Sequence, residues 1–202
     1  MKKEDIELIL FDFGGVIAPE GFQLGVLKLA HMYGKTFEEM YEIAGYEAGM
    51  DTGYTAGGSP EENYWAAMAR ILGEYRDISH YRDLYLDNFE PRKDMVEFIA
   101  QLSQKNRLGI FSDQTNWIYE IDEQTPFLKY FDYKCISFEK GYTKHDDEFY
   151  LLPSQETGVA PEKILVIDDK KRVVERAKSF GMQGYLFVFI RDCIEYLRPF
   201  LS

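Results

Sequence analysis

Two hydrophobic rhythms alternate along the chain. Five short apolar runs, at residues 7–11, 107–111, 133–137, 164–167 and 184–189, are bounded by polar or turn residues. They are too short for helices, and most lack the alternation of a half-exposed strand, so they read as buried parallel strands. Between the later runs the period changes to that of a helix. In "KDMVEFIAQLSQKN" Met95, Val96, Phe98, Ile99 and Leu102 fall on one face, with Pro91 just before the start. "DEFYLLPSQETG" and "KRVVERAKSFG" follow the same logic, and Gly181 suits the end of the latter helix. Strand–helix–strand repetition means right-handed crossovers and an open sheet.

From about residue 20 to residue 87 this rhythm breaks. "FQLGVLKLAHMYG", "TFEEMYEIAGYEAG", "SPEENYWAAMARILG" and "SHYRDLYLDNF" all look helical, and no convincing strand separates them. Thr36 with Glu39, and Ser59 with Glu62, have capping-box spacing. Residues 45–58 read as a Gly-rich interruption between two of these helices. The expected fold is therefore α/β: a doubly wound, mostly parallel five-stranded Rossmann-like sheet with a small all-helical cap inserted after the first strand. Residues 1–19 and 88–202 would form the core, and residues 20–87 the cap.

Charge narrows the choice of partners. The chain of 202 residues holds 23 basic and 35 acidic side chains, a formal net charge of −12, with no basic block to neutralise a row of phosphates. Nucleic acid and anionic membranes are disfavoured as partners. Cys135 and Cys193 are too few and too far apart for a metal site, and Cys135 in "YKCIS" reads as a small buried hydrophobe, which fits a reducing compartment. Glu4, Asp5 and Glu7 interrupt any apolar signal core, and no apolar run is long enough to span a bilayer, so a cytoplasmic location is expected.

Ligands of such sheets bind beyond the carboxyl ends of the strands. The first run ends in Asp12, followed by Phe13, Gly14 and Gly15; the second leads into "SDQTN" from Ser112; the fourth ends in Asp168 and Asp169. After the third run, "FEKGYTKHDD" offers Lys140 and Lys144. Taken singly, each residue has a structural explanation as a turn former, a helix cap or a solvated charge. Together, a carboxylate, a hydroxyl, a lysine and a pair of acids arrive at one edge. Asp12 there could attack phosphorus. A divalent cation held with Asp168 and Asp169 would offset the repulsion from a phosphate dianion, Mg²⁺ being the typical ion. Lys144 would neutralise further charge, Ser112 would donate a hydrogen bond, and N–H groups around Phe13 and Gly14 could cradle oxygens. The glycines let backbone approach a ligand and leave the strand in an unusual conformation.

In this order, "ILFDFGGVI", "LGIFSDQTN", "SFEKGYTKHDDEFY" and "KILVIDDKKRVVERAKSFGM" resemble the four signature motifs of the haloacid dehalogenase-like (HAD) hydrolases. The first motif is similar to that of small bacterial sugar-phosphate phosphatases, the glucose-1-phosphate phosphatases among them. The resemblance implies that Asp12 is the nucleophile, that the Gly14 carbonyl helps bind Mg²⁺, and that Ser112 touches phosphate. It implies Lys144, rather than Lys140, as the third-motif lysine, and Asp168 and Asp169 as the fourth-motif acids, with Asp168 preferred as metal ligand. Phe13, Gly14, Asp113 and Lys144 are the expected substrate-binding positions, and a small phosphorylated metabolite is the expected partner.

Four positions depart from the family pattern. Gly14 stands where most phosphatases of the superfamily have an acid–base aspartate. Asp113 replaces an asparagine, His145 a proline and Val173 an asparagine. Asp113 is expected to cap the helix begun by "NWIYEIDE". Two other readings stay open: a degenerate protein that binds a phosphorylated ligand or a partner without turnover, and a metal-independent dehalogenase using the same nucleophile. Met50, Asp51 and Tyr54 are candidates for substrate contact, and the oligomeric state is not legible.

Overall fold

A computed structural model describes residues 5–75 and 77–201; the part of the signal-peptide reading that rests on Glu4 lies outside them. All five apolar runs are strands: β1 (Leu8–Phe11), β2 (Leu108–Ser112), β3 (Tyr133–Ile136), β4 (Ile164–Asp168) and β5 (Gln183–Leu186). They form one sheet in the order β3-β2-β1-β4-β5, and every pair is parallel. Every residue of β1, β2 and β4 is buried, which is why these runs are continuously apolar. β5 differs from expectation. It starts one residue earlier, ends at Leu186, and lies at the sheet edge, half-buried. An edge strand is paired on one side only, and the following Val188 and Phe189 are exposed.

The chain between β1 and β2 contains no strand among the described residues. Its α-helices are α1 (Gly21–Met32), α2 (Phe37–Tyr41), α3 (Glu61–Leu72) and α4 (Asp83–Leu86), which make up the insert, and then α5 (Lys93–Leu102). Beyond β2 come α6 (Trp117–Gln124), α7 (Ser137–Lys140), α8 (Asp147–Thr157), α9 (Lys171–Ser179) and α10 (Ile190–Leu197). The Thr36 capping box forms: Glu39 N–H donates to Thr36 Oγ1 at 3.2 Å and Thr36 N–H to Glu39 Oε2 at 2.8 Å. The Ser59–Glu62 box does not. Pro60 occupies the cap position of α3 with no side-chain bond, so the helix begins at Glu61 and Ser59 falls outside it. The Gly-rich interruption also begins later than expected. α2 runs directly into a π-helical segment, Glu42–Met50, and only then does the chain break. A wider helical turn of this kind is rare and tends to occur beside functional sites.

Apolar packing divides into three clusters. One holds Phe98, Ile99, Ile118, Phe127 and Leu197 against the sheet, and another holds Phe149, Tyr150, Val173 and Met182. The third, with Val26, Met40, Tyr64, Trp65 and Tyr85, belongs to the helical insert, except that Trp117 of α6 joins it. Polar ties run alongside. Arg82 bridges Glu61 of α3 and Glu120 of α6, Tyr54 donates to Asn116 Oδ1 at 2.6 Å, and Ser137 donates to the Thr55 carbonyl at 2.9 Å. The insert is thus fastened over the strand ends. Among the described residues no helix is long and apolar enough to cross a membrane.

Both cysteines are fully buried, and burial pushes each thiol up to about 12. Only the thiolate reacts. Native protein treated with an aromatic disulfide reagent at neutral pH should release almost no thiolate, and both sites should react once denaturant is added. Rapid labelling of the native protein would contradict this packing.

Candidate active site

The sheet order creates the site. From β1 the chain proceeds to β2 on one side, while β4 lies on the other, so the crevice beyond β1 and β4 is the switch point where α/β sheets bind ligands. Phe11 is level with Ile167, and Asp12 N–H donates to the Ile167 carbonyl at 2.9 Å. Asp12 and Asp168 therefore leave neighbouring strands side by side. Ser112, the last residue of β2, flanks Asp12 from the other side and donates to its Oδ1 at 2.6 Å.

Lys144 enters from the loop between α7 and α8. Its Nζ is 2.9 Å from Asp12 Oδ1 and 2.7 Å from Asp168 Oδ2, with Lys144 only 4% exposed and Asp168 0%. Burial alone would favour the neutral amine, but Asp12, Asp168 and Asp113 outweigh it and hold Lys144 well above the usual lysine range. Lys140 takes no part: it pairs with Glu156 at 2.7 Å. The Phe13 N–H, expected to face substrate oxygens, donates instead to Asp12 Oδ1 at 2.7 Å. That oxygen thus receives Lys144, Ser112 and Phe13 together.

Asp113 does not cap α6, whose cap residue is Asn116 with no side-chain bond. Its Oδ1 accepts the Lys144 backbone N–H at 2.8 Å. The Lys144 carbonyl accepts from Tyr150 Oη at 3.2 Å and from Arg176 Nη1 at 3.2 Å. The lysine is therefore gripped through both its backbone groups. Val173 is buried beside Phe149 and Tyr150, and His145 lies edge-on to Tyr46 of the helical insert, 6.4 Å between centroids.

Asp12, Asp168 and Asp169 each offer a carboxylate oxygen within 4.8 Å of the others. Asp169 Oδ1 is buried with no hydrogen-bond partner, the kind of orphan acceptor that a cation satisfies. Gly15 is obligatory beside it. Its φ is +83°, and a Cβ there would lie 2.5 Å from the Asp169 carboxyl carbon. The unusual conformation expected of the two glycines thus belongs to Gly15, and what approaches its backbone is a carboxylate. Gly14 has no positive φ.

A cavity of about 220 Å³ opens on Asp12, Ser112 and Lys144 and is roofed by Tyr41, Gly45, Tyr46, Met50 and Tyr54 of the insert. Met50 and Tyr54 are therefore at the cavity, whereas Asp51 is not among its lining residues. Glu20, Gln23, Gln114, Lys170 and Arg172 also line it, and sequence reasoning had singled out none of them. For Lys170, the only signal was its position directly after the paired acids. Its Nζ lies 2.7 Å from Asp169 Oδ2 and 2.7 Å from Glu20 Oε1, joining the start of the insert to the β4 loop.

Known proteins share this framework. A phosphorylated carbohydrates phosphatase from Thermotoga maritima is 26% identical over 200 residues, covering 88% of this chain and 83% of the relative. A predicted HAD-like family hydrolase from Porphyromonas gingivalis superposes with a TM-score of 0.77 at 21% identity, over 96% of this chain and 98% of that one. A HAD family enzyme from Bacteroides thetaiotaomicron, solved as a complex with magnesium and inorganic phosphate, gives 0.72 at 16% identity, over 90% and 93%. These two show the same fold. A family profile matches residues 6–181, from the approach to β1 to the glycine after α9, and the chain belongs to the haloacid dehalogenase-like hydrolases.

Proposed function

We propose that this hydrolase is a Mg²⁺-dependent phosphomonoesterase acting on a small phosphorylated metabolite, with Asp12 as nucleophile. The observation that carries this reading is the meeting of Asp12 with Asp168 and Asp169 within 4.8 Å, beside the partnerless Asp169 Oδ1. Those three carboxylates and the Gly14 carbonyl would hold the ion. When bound, Mg²⁺ would screen the repulsion between the carboxylate and the phosphate dianion.

The chain's own groups then divide the work. An Asp12 carboxylate oxygen attacks phosphorus, the ester P–O bond breaks, and an aspartyl-phosphate forms. Water next attacks phosphorus, releasing phosphate and restoring Asp12. Lys144 stays charged and offsets negative charge as it builds on the transferring group. Ser112 and the Phe13 N–H fix the orientation of Asp12. The insert covers the cavity and excludes bulk water. A carbon–halogen hydrolase would use the same nucleophile but leave the three-acid cluster and its orphan oxygen without a purpose.

A phosphorylated sugar or similar hydroxylated compound fits best. The cavity is below the roughly 300–1,000 Å³ of drug-sized pockets. Beyond Asp12 its lining combines the Tyr41 and Tyr46 rings with Glu20 and Gln23, suiting a short polar alcohol. The Thermotoga relative's phosphorylated carbohydrates point the same way.

Two outcomes test this. Hydrolysis of 4-nitrophenyl phosphate should require Mg²⁺, stop in EDTA, and fall by about 10³-fold or more in Asp12→Asn; a mutant as active as wild type would refute the nucleophile. Asp113→Ala leaves the Lys144 N–H without its partner and should lower unfolding free energy by about 1–3 kcal/mol, with Asp113→Asn, which keeps an acceptor, losing under about 1 kcal/mol. Urea titration measures both, and equal losses would contradict the bond.

A further inference from the structure

Residue 14 carries no side chain, yet the space beside it is bordered by a carboxylate. A Cβ on Gly14 would stand 3.7 Å from Glu20 Oε2 and 3.8 Å from Gln114 Nε2, ordinary contact distances. Gly14 is not among the positive-φ glycines. Neither space nor backbone conformation therefore demands glycine here. Glu20 lines the same cavity as Asp12. Its Oε1 is held at 2.7 Å by Lys170, which leaves Oε2 as the oxygen turned toward residue 14. Of the cavity's other acids, Asp12 is held by Lys144 and Ser112, and Asp113 accepts the Lys144 backbone N–H.

We propose that Glu20 is the general acid and base of this site, reaching from the far end of the turn into the place a side chain on residue 14 would occupy. The proposal rests on the phosphatase reading. In the first step the Glu20 carboxyl gives its proton to the leaving oxygen as the ester P–O bond breaks and the Asp12–phosphorus bond forms, so the product leaves as a neutral alcohol. In the second step the Glu20 carboxylate takes a proton from the attacking water as the new P–O bond forms and the Asp12–phosphorus bond breaks. Glu20 ends protonated again, Asp12 is again a carboxylate, and one water has been consumed. The ion pair with Lys170 keeps the carboxylate pointed inward between steps.

Leaving-group chemistry provides the test. An alkoxide is a poor leaving group and needs the proton; 4-nitrophenolate does not. The readout is kcat/KM, which ends at the first irreversible phosphoryl transfer and so isolates the acid role. With Mg²⁺ present, Glu20→Gln should reduce kcat/KM for a simple alkyl phosphate by about 10²-fold or more, but for 4-nitrophenyl phosphate by less than about tenfold. Gly14→Asp combined with Glu20→Gln should regain at least about tenfold of the alkyl-phosphate loss, because the new carboxyl enters the same space. Glu20→Asp, which keeps the group but withdraws it, should fall between wild type and Glu20→Gln. Equal losses on the two substrates in variants that melt like wild type would overturn the proposal. So would an alkyl-phosphate loss under about threefold. A leaving-group-dependent loss in His145→Asn instead of Glu20→Gln would reassign the role and also overturn it. Wild type inert on both substrates would defeat the phosphatase reading itself, and this proposal with it.

Discussion

The structure turns on one buried ammonium. Lys144 lies between Asp12 and Asp168 at 2.9 and 2.7 Å, and Asp113 adds its charge from the loop behind. Two like charges about 4 Å apart repel by about 4 kcal/mol at an effective dielectric constant of 20. Without a cation at their centre the strand-end acids could not remain ionised together away from water. Much of the surrounding architecture holds that cation still. Asp113, directly after β2, accepts from its N–H, and α8 and α9 supply Tyr150 and Arg176 as donors to its carbonyl. The Asp113 and Arg176 bonds join segments 31 and 32 residues apart in the chain, so position of the lysine and integrity of the fold are one problem.

The same constraint explains why the candidate site forms at this end of the sheet. Parallel strands bring their carboxyl ends to one edge, and the reversal of strand order at β1 and β4 leaves a crevice there. Residues one step beyond the ladder inherit a fixed spacing from the backbone register. Asp12 and Asp168 meet because Phe11 and Ile167 pair, not because of any affinity between acids. The insert then closes the crevice, fastened by Trp117 in its apolar cluster and by Arg82 across α3 and α6.

Most of this framework was legible from the chain because burial writes directly onto composition. β1, β2 and β4 are covered on both faces, so their sequences are unbroken apolar runs, and the strand-end groups Asp12, Ser112 and Asp168 follow from where the runs stop, whereas Lys144, in a loop beyond α7, is distinguished from Lys140 only by the motif resemblance. β5 ends before its apolar run does because residues 187–189 leave the ladder as irregular chain, with Phe187 still buried and Val188 and Phe189 exposed. The π-helical Glu42–Met50 was hidden because two glycines read as a break, whereas the helix carries them through. Asp113 looked like a helix cap because local sequence cannot show a backbone N–H arriving from residue 144. Glu20 and Lys170 were invisible for the same reason: their 2.7 Å contact joins positions that only the fold brings together.

The most direct test is to quench the enzyme with acid during turnover of a phosphate monoester and map the digested protein by mass spectrometry. A nucleophilic Asp12 predicts one acid-stable, hydroxylamine-labile phosphoryl group on the peptide that contains it. Turnover with no covalent phosphate on that peptide, or with the phosphoryl group on another residue, would contradict the central claim.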